Sequence, residues 1–250
     1  MKTEWDYTEL ARTYASRPDY APSAIDALVA RAGVKAGDRV CDIGAGSAHL
    51  TIPLLERGLI VDAVEPNDEM RKLGMSRSQR FGQVQWFEGA GEATGRPGDT
   101  YALVTFGSSF NVTDRPRALK ETARLLRPRG WFACLWNHRD LDDPLQTGVE
   151  DLIRSMVPEY GYGTRREDQT EAIAASGLFD PALPFEGRVV HRVDRETWIE
   201  AWRSHATLAR QAASRTSEIV DAIAAYVRAK SGTEMPVPYV TRGWLARRRF

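Results

Sequence analysis

The sequence predicts an α/β fold in which a mostly parallel sheet carries helices on both faces. Three observations predict it. Short, near-continuous apolar runs alternate with amphipathic helical patterns from residue 22 to 140, the first of those runs ends in a glycine turn, and the second ends in an acid. Strands covered on both faces lose the polar alternation of a half-exposed sheet, and strand–helix alternation is what parallel pairing requires.

The first element, 22–32, opens on a proline and is closed by Gly33, the usual asymmetry of a helix. Residues 38–43 form a strand that runs into Gly44-Ala45-Gly46, and a helix through Leu50, Leu54 and Leu55 stops at Gly58. A strand at 59–65 leads into Pro66-Asn67-Asp68-Glu69-Met70, which starts a helix with Asn67 as cap and two acids in the first turn, where the helix dipole favours them. Strands at 83–87, 101–106 and 131–136 follow, the last two separated by a helix at 115–126 that closes at Pro128-Arg129-Gly130. After Asp140 the rhythm changes to helices at 147–157, 168–176, 195–210 and 216–230, with strands at 186–193 and 237–246. These helices are expected to form a lid rather than a second domain.

The length of 250 residues suffices for one sizeable core. A content of 42% hydrophobic and 27% charged residues, with 34 basic against 34 acidic, argues against disorder, a membrane protein and a nucleic-acid binder. The opening Met1-Lys2-Thr3-Glu4-Trp5-Asp6 lacks the layout of a secretory signal, and no apolar run approaches the ~18 residues of a membrane helix. Cys41 and Cys134 lie in apolar runs, so no disulfide framework is expected and a reducing cytoplasm is the natural compartment. No His or Cys pair has metal-ligand spacing, and Asp140, Asp142 and Asp143 read as a solvated turn.

The informative stretch is Asp42-Ile43-Gly44-Ala45-Gly46, with Glu65 at the end of the next strand. Glycines at such a turn let backbone approach a ligand, and an acid at that second strand end is placed to accept bonds from ribose hydroxyls. A nucleoside-containing cofactor is therefore expected. A dinucleotide fingerprint needs glycine at position 49, where His49 stands, and Asp42 would repel a pyrophosphate. Asp42 suits a cationic ligand instead.

Those residues, with Val64-Glu65-Pro66-Asn67 and Arg124-Leu125-Leu126-Arg127-Pro128-Arg129-Gly130-Trp131-Phe132, resemble the motif series of class I S-adenosylmethionine-dependent methyltransferases. Tyr14-Ala15-Ser16-Arg17-Pro18-Asp19-Tyr20 and Leu135-Trp136-Asn137-His138-Arg139-Asp140 are similar to the small-molecule, trans-aconitate methyltransferase-like branch. The resemblance implies a Rossmann-like sheet of seven strands whose last strand is antiparallel and inserted beside the fifth. It implies a single methyltransferase domain over 1–250, comprising a cap segment (1–34), a cofactor-binding core (35–140), a helical lid with one strand (145–232) and a final strand (237–248). The bound cofactor would be S-adenosylmethionine, with S-adenosylhomocysteine as product and a small molecule as methyl acceptor at O, N or C. The partners so implied are that small molecule and at most a second copy of the chain, since monomer and homodimer both fit.

By the same resemblance the cofactor would meet Tyr14, Arg17, Asp42, Gly44, Ala45, Gly46, Glu65, Pro66, Met70, Gly89, Ala90, Gly91, Phe106 and Gly107. Two departures stand out. Ala90 replaces an Asp of many relatives, and Ala48 replaces a third glycine, which is tolerable if φ there is negative, so tighter packing over the cofactor is expected rather than lost binding. Methyl transfer needs alignment and exclusion of water more than a base. Candidates for catalysis are His138 and Asn111 at strand ends, and for the acceptor Tyr20, Ser109, Trp198, Trp202 and His205. Two rival readings are a nicotinamide-dependent oxidoreductase and a cofactor-binding protein of this fold that transfers no methyl group.

Overall fold

The computed structural model describes residues 18–250. Seven strands, β1 (Arg39–Ile43), β2 (Ile60–Val64), β3 (Val84–Phe87), β4 (Tyr101–Gly107), β5 (Leu126–Arg139), β6 (Leu183–Asp194) and β7 (Glu234–Arg247), form one sheet in the order β3-β2-β1-β4-β5-β7-β6. β1 pairs in parallel with β2 and β4, β2 with β3, and β4 with β5. β7 runs the other way, because Asp140 N–H donates to the Pro238 carbonyl while Arg248 N–H donates to the Gly130 carbonyl. The strand order reverses between β1 and β4, and in open α/β sheets ligands bind beyond the carboxyl ends of the strands at such a point.

The helices are α1 (Pro22–Ala32), α2 (Thr51–Glu56), α3 (Asp68–Ser78), α4 (Arg115–Leu125), α5 (Pro144–Met156), α6 (Thr170–Ala174), α7 (Arg195–Ala201), α8 (Ala206–Ala212) and α9 (Thr216–Lys230). Side-chain oxygens of Asn67, Asp114, Asp143 and Asp194 accept the N–H three residues on and so cap α3, α4, α5 and α7. Two elements differ from expectation. β5 begins at Leu126 rather than 131, because Arg129 turns through φ +62° and a bulge between Tyr101 and Leu103 lets the extra residues stay in the sheet. The expected helix 195–210 is broken by a 3₁₀ turn at Trp202–Ser204, after which His205 is extended and caps α8 through Nδ1, accepting from Leu208 N–H.

The chain divides into two compact units. The first comprises 18–137, 167–187 and 241–250 of the described residues, the second 138–166 and 188–240. The expected lid segment 145–232 is thus divided, since Ile173 and Phe179 belong to the first unit's core. That core centres on four rings, Phe106, Phe110, Phe132 and Phe179, whose neighbouring centroids are 5.4–5.9 Å apart. In the second unit α5, α7, α8 and α9 close over Val149, Ile153, Trp198, Trp202, Ile219 and Ile223. No helix among the described residues is long and apolar enough to cross a membrane.

Phe132 touches the other three rings and is fully buried. Phe132→Ala is expected to lower the unfolding free energy by about 3–5 kcal/mol. Urea denaturation checks this, and a loss below about 1 kcal/mol would mean that the cluster is not packed as described.

Candidate functional site

At the end of β1 the chain turns through Gly44 at φ +66° and Gly46 at φ +54°. The N–H groups of Gly44 and Ala45 both donate to the Val64 carbonyl at the end of β2, at 2.8 and 3.1 Å. Gly46 N–H donates to Glu65 Oε2 at 2.9 Å, and Glu65 Oε1 accepts from Asn67 N–H at 2.9 Å. All three donors of the glycine turn are therefore spent inside the protein, and what the turn presents is a fixed carboxylate. This corrects the expectation that these amides approach a ligand.

Close packing explains two of the glycines. A Cβ on Gly44 would lie 2.4 Å from Ser109 Cβ, and Ser109 holds its place by donating to the Ile43 carbonyl at 2.6 Å. Gly74 is a neighbour of the turn that the sequence did not single out. A Cβ there would stand 2.6 Å from the Gly46 carbonyl and 2.2 Å from the Trp86 ring, so only glycine lets α3 meet the turn. Its one signal was a glycine inside a helical pattern. Met70, one turn earlier, is buried with its terminal methyl against Gly46.

Ala48 does not meet the condition of negative φ. It is fully buried at φ +70°, in the left-handed region that costs an alanine roughly 1–2 kcal/mol. The preceding turn fixes this conformation, because Ala48 N–H already donates to the Ala45 carbonyl and its own carbonyl accepts from Ile52 in α2.

Two buried acids dominate the electrostatics. Asp42 lies opposite Thr105 in the parallel register of β1 and β4, and it accepts from Thr105 Oγ1 at 2.9 Å and Thr51 Oγ1 at 2.7 Å. Burial pushes its carboxyl up to about 6 against these two bonds, with the charge of Glu65 adding to the rise. No basic side chain pairs with Asp42 among the described residues. Burial also raises Glu65 above the usual carboxylate range, opposed by the Asn67 and Gly46 amides and by Arg71. Arg71 donates to the Glu65 carbonyl at 2.8 Å.

The other expected residues fall into three groups. Around the turn lie Pro66, which is half-buried, and Gly107, which faces Leu50 and the Tyr20 hydroxyl. Tyr20 shares a hydrogen bond with Ser108 Oγ at 3.0 Å. Gly89 packs on the Thr94 carbonyl and Val64, Ala90 bridges to Ala93, and Gly91 packs on Thr113. Phe106 is the exception in this region, since its ring belongs to the aromatic core and only its backbone is left for a ligand.

A second group is engaged elsewhere. Asn111 Oδ1 accepts from Trp136 Nε1 at 2.8 Å. His138 Nε2 faces the Arg165 carbonyl at 3.1 Å, so it carries the proton there. Trp198 and Trp202 are buried in the core of the second unit, and His205 caps α8. The third group, Tyr14 and Arg17, lies outside the described residues. Among the described residues no group of three or more His, Cys, Asp or Glu side chains is placed to hold a metal.

Two stability predictions follow from the buried groups. Ala48→Gly relieves the left-handed strain but raises the entropy of the unfolded chain, so stability should change by less than about 1 kcal/mol. Ala48→Val should cost more than about 2 kcal/mol, since a branched side chain is worse at this φ and overfills the site. Thermal denaturation of both variants checks this, and equal losses would contradict it. For Asp42 the folded carboxyl titrates near 6 and the unfolded one near 3.8. The folded state thus binds the extra proton, and stability falls as pH rises between those values, by about 3 kcal/mol at 1.36 kcal/mol per decade. Asp42→Asn removes that loss. Its stability relative to the wild type should climb from pH 4 to 6.5 and then level off, whereas a constant difference in urea titrations would contradict the assignment.

Comparison with known proteins agrees with this geometry. Residues 25–167 match the model of the ubiE/COQ5 methyltransferase family. An uncharacterized methyltransferase of Mycobacterium tuberculosis is 39% identical over 124 residues, which is 50% of this chain and 48% of that protein. The chain thus spans about half the length of such curated relatives. An uncharacterized methyltransferase of Schizosaccharomyces pombe is 30% identical over 205 residues, covering 74% of this chain and 75% of the relative. The solved structure of a putative type II methyltransferase from Anaeromyxobacter dehalogenans shares the fold, with a TM-score of 0.64 at 19% identity over 93% of this chain and 97% of that one. The trans-aconitate branch remains an expectation, and the matched region holds the glycine turn, Glu65 and the strand ends around them. The chain belongs to the ubiE/COQ5 methyltransferase family.

Proposed function

We propose that the protein transfers a methyl group from S-adenosylmethionine to O, N or C of a small molecule and releases S-adenosylhomocysteine. The observation that carries this reading is the direction of the hydrogen bonds at the glycine turn. With the Gly44, Ala45 and Gly46 amides committed, the turn offers acceptors and negative charge rather than donors. Such a site suits a cationic nucleoside and disfavours the pyrophosphate of a nicotinamide dinucleotide, which the rival oxidoreductase reading requires.

The residues fit the cofactor in three respects. Each Glu65 oxygen takes one backbone amide and keeps a further lone pair, which matches the two hydroxyls of a ribose. Met70 and the 89–91 turn provide apolar and backbone surface for a base. Asp42, ionised above about pH 6, supplies attraction for positive charge without a basic partner of its own. Its contribution is a field from behind the turn, since both oxygens already hold threonine hydroxyls.

When bound, the cofactor supplies an electrophilic methyl on a sulfonium that leaves as a neutral thioether. The chain's part is to orient the acceptor and exclude water, and an amine or carboxylate acceptor needs no base. For a hydroxyl acceptor, His138 is the proton acceptor in this reading. We place the activity in the cytoplasm, with the chain acting as monomer or homodimer on a small molecule.

S-adenosylhomocysteine is expected to raise the melting temperature while NADH leaves it unchanged, and Glu65→Ala should weaken binding of the former at least tenfold, about 1.4 kcal/mol. Stabilisation by NADH alone would overturn the proposal. Normal binding with no methylated product from any acceptor in a labelled-donor metabolite screen would favour the binding-only rival.

A further inference from the structure

The second unit contains a buried polar cluster that the methyl-transfer reading does not use. Arg139, at the end of β5, is nine-tenths buried, with its guanidinium 4.5 Å from the centre of the Trp202 ring. Gln146 and Glu150, one turn apart on α5 and both buried, face it. Arg139 donates from Nη1 to Gln146 Oε1 at 3.2 Å, and from Nη2 to Glu150 Oε2 at 3.2 Å and to the Tyr162 hydroxyl at 2.8 Å. Tyr162 in turn donates to Glu150 Oε2 at 2.7 Å, and Arg166 stacks on the Tyr162 ring at 4.1 Å.

Two features distinguish this cluster from a closed ion pair. The first is an imbalance of donors. Because Arg139 can only donate, Gln146 must turn its oxygen toward it, which leaves the amide nitrogen pointing elsewhere. That nitrogen is buried without a hydrogen-bond partner, and so are Arg166 Nε, the Tyr160 hydroxyl and the second Glu150 oxygen, so unmet donors outnumber the one unmet carboxylate oxygen. An unmet buried donor is destabilising, a penalty removed when an acceptor enters. The second is an imbalance of charge. Two guanidinium groups, Arg139 and Arg166, stand against the one carboxylate of Glu150, whose other oxygen lies 3.3 Å from the half-exposed Arg154. Surplus donors and surplus positive charge call for the same kind of group, one that only accepts and is negative. A guanidinium fork matches carboxylate and phosphate oxygens in particular.

We infer that the second unit holds a binding site for a compact oxyanion, the carboxylate or phosphate group of a small molecule, formed by Arg139, Gln146 and Arg166. The site stands on the second unit alone and requires no methyl donor, so its test is independent of the proposed activity. The full chain is titrated with inorganic phosphate and, separately, with malonate, each against sodium chloride of equal ionic strength, with melting temperature and calorimetry as readouts. At least one of the two should bind saturably and raise the melting temperature above the chloride control, and which one does so identifies the source of the oxyanion. Arg139→Lys keeps the charge but loses the fork, and should weaken binding tenfold or more. Gln146→Met removes the unmet amide at similar volume together with the oxygen that accepts from Arg139, so it should fold with a somewhat lower melting temperature and bind at least threefold more weakly. If the lysine variant fails to fold, the methionine variant decides. No shift beyond chloride with either anion, or wild-type affinity in Gln146→Met, would overturn the assignment and leave water as the partner of these donors.

Discussion

The Glu65 carboxylate accepts the Gly46 N–H through one oxygen and the Asn67 N–H through the other, and these two bonds tie the end of β2 to the turn after β1 and to the cap of α3. Much else at the strand ends depends on that lashing. Asn67 can cap α3 only while its own backbone is held, and α3 then presents Met70 and Gly74 to the turn. Gly44 in turn must lack a side chain because Ser109 closes over it from beyond β4. A single carboxylate thus ties two strand ends and the start of a helix together, and it does so while keeping acceptor capacity for a ligand.

The arrangement carries costs in stability. Asp42 and Glu65 are both buried carboxylates whose ionisation is opposed by their surroundings, and Ala48 is held in a conformation that favours glycine. Such costs are expected where a site must be preorganised rather than relaxed. The threonine hydroxyls on Asp42 moderate the cost but do not cancel it, because the desolvation of a fully buried charge outweighs two neutral hydrogen bonds. A bound cation would relieve the same strain, so cofactor binding and stability are linked through this residue.

Most of the first unit was legible in the sequence because buried parallel strands read as apolar runs and because Asn67, Gly33 and the Gly44–Gly46 turn are local signals. The parts that were not legible depend on distant partners. The start of β5 is set by a bulge against β4, which no local pattern of Arg127 to Gly130 reveals. The break at His205 arises because its ring captures the Leu208 amide, in competition with a helix that the apolar spacing of Trp198, Trp202 and Leu208 favours. The site was half legible. Residue types gave Asp42 and Glu65, but only the coordinates show that the turn amides are already spent, that Ala48 has positive φ, and that Gly74 is a contact of the turn.

In the proposed function Glu65, fixed by the Gly46 and Asn67 amides, binds the ribose of a nucleoside cofactor. Calorimetry comparing S-adenosylhomocysteine with its 2′-deoxy analogue tests it most directly, in the wild type and in Glu65→Ala. A hydrogen bond to a carboxylate is worth about 1.5–3 kcal/mol, so the wild type should prefer the hydroxylated ligand by at least tenfold and the variant should not distinguish the two. Equal affinities in the wild type, or an undiminished preference in Glu65→Ala, would contradict the account.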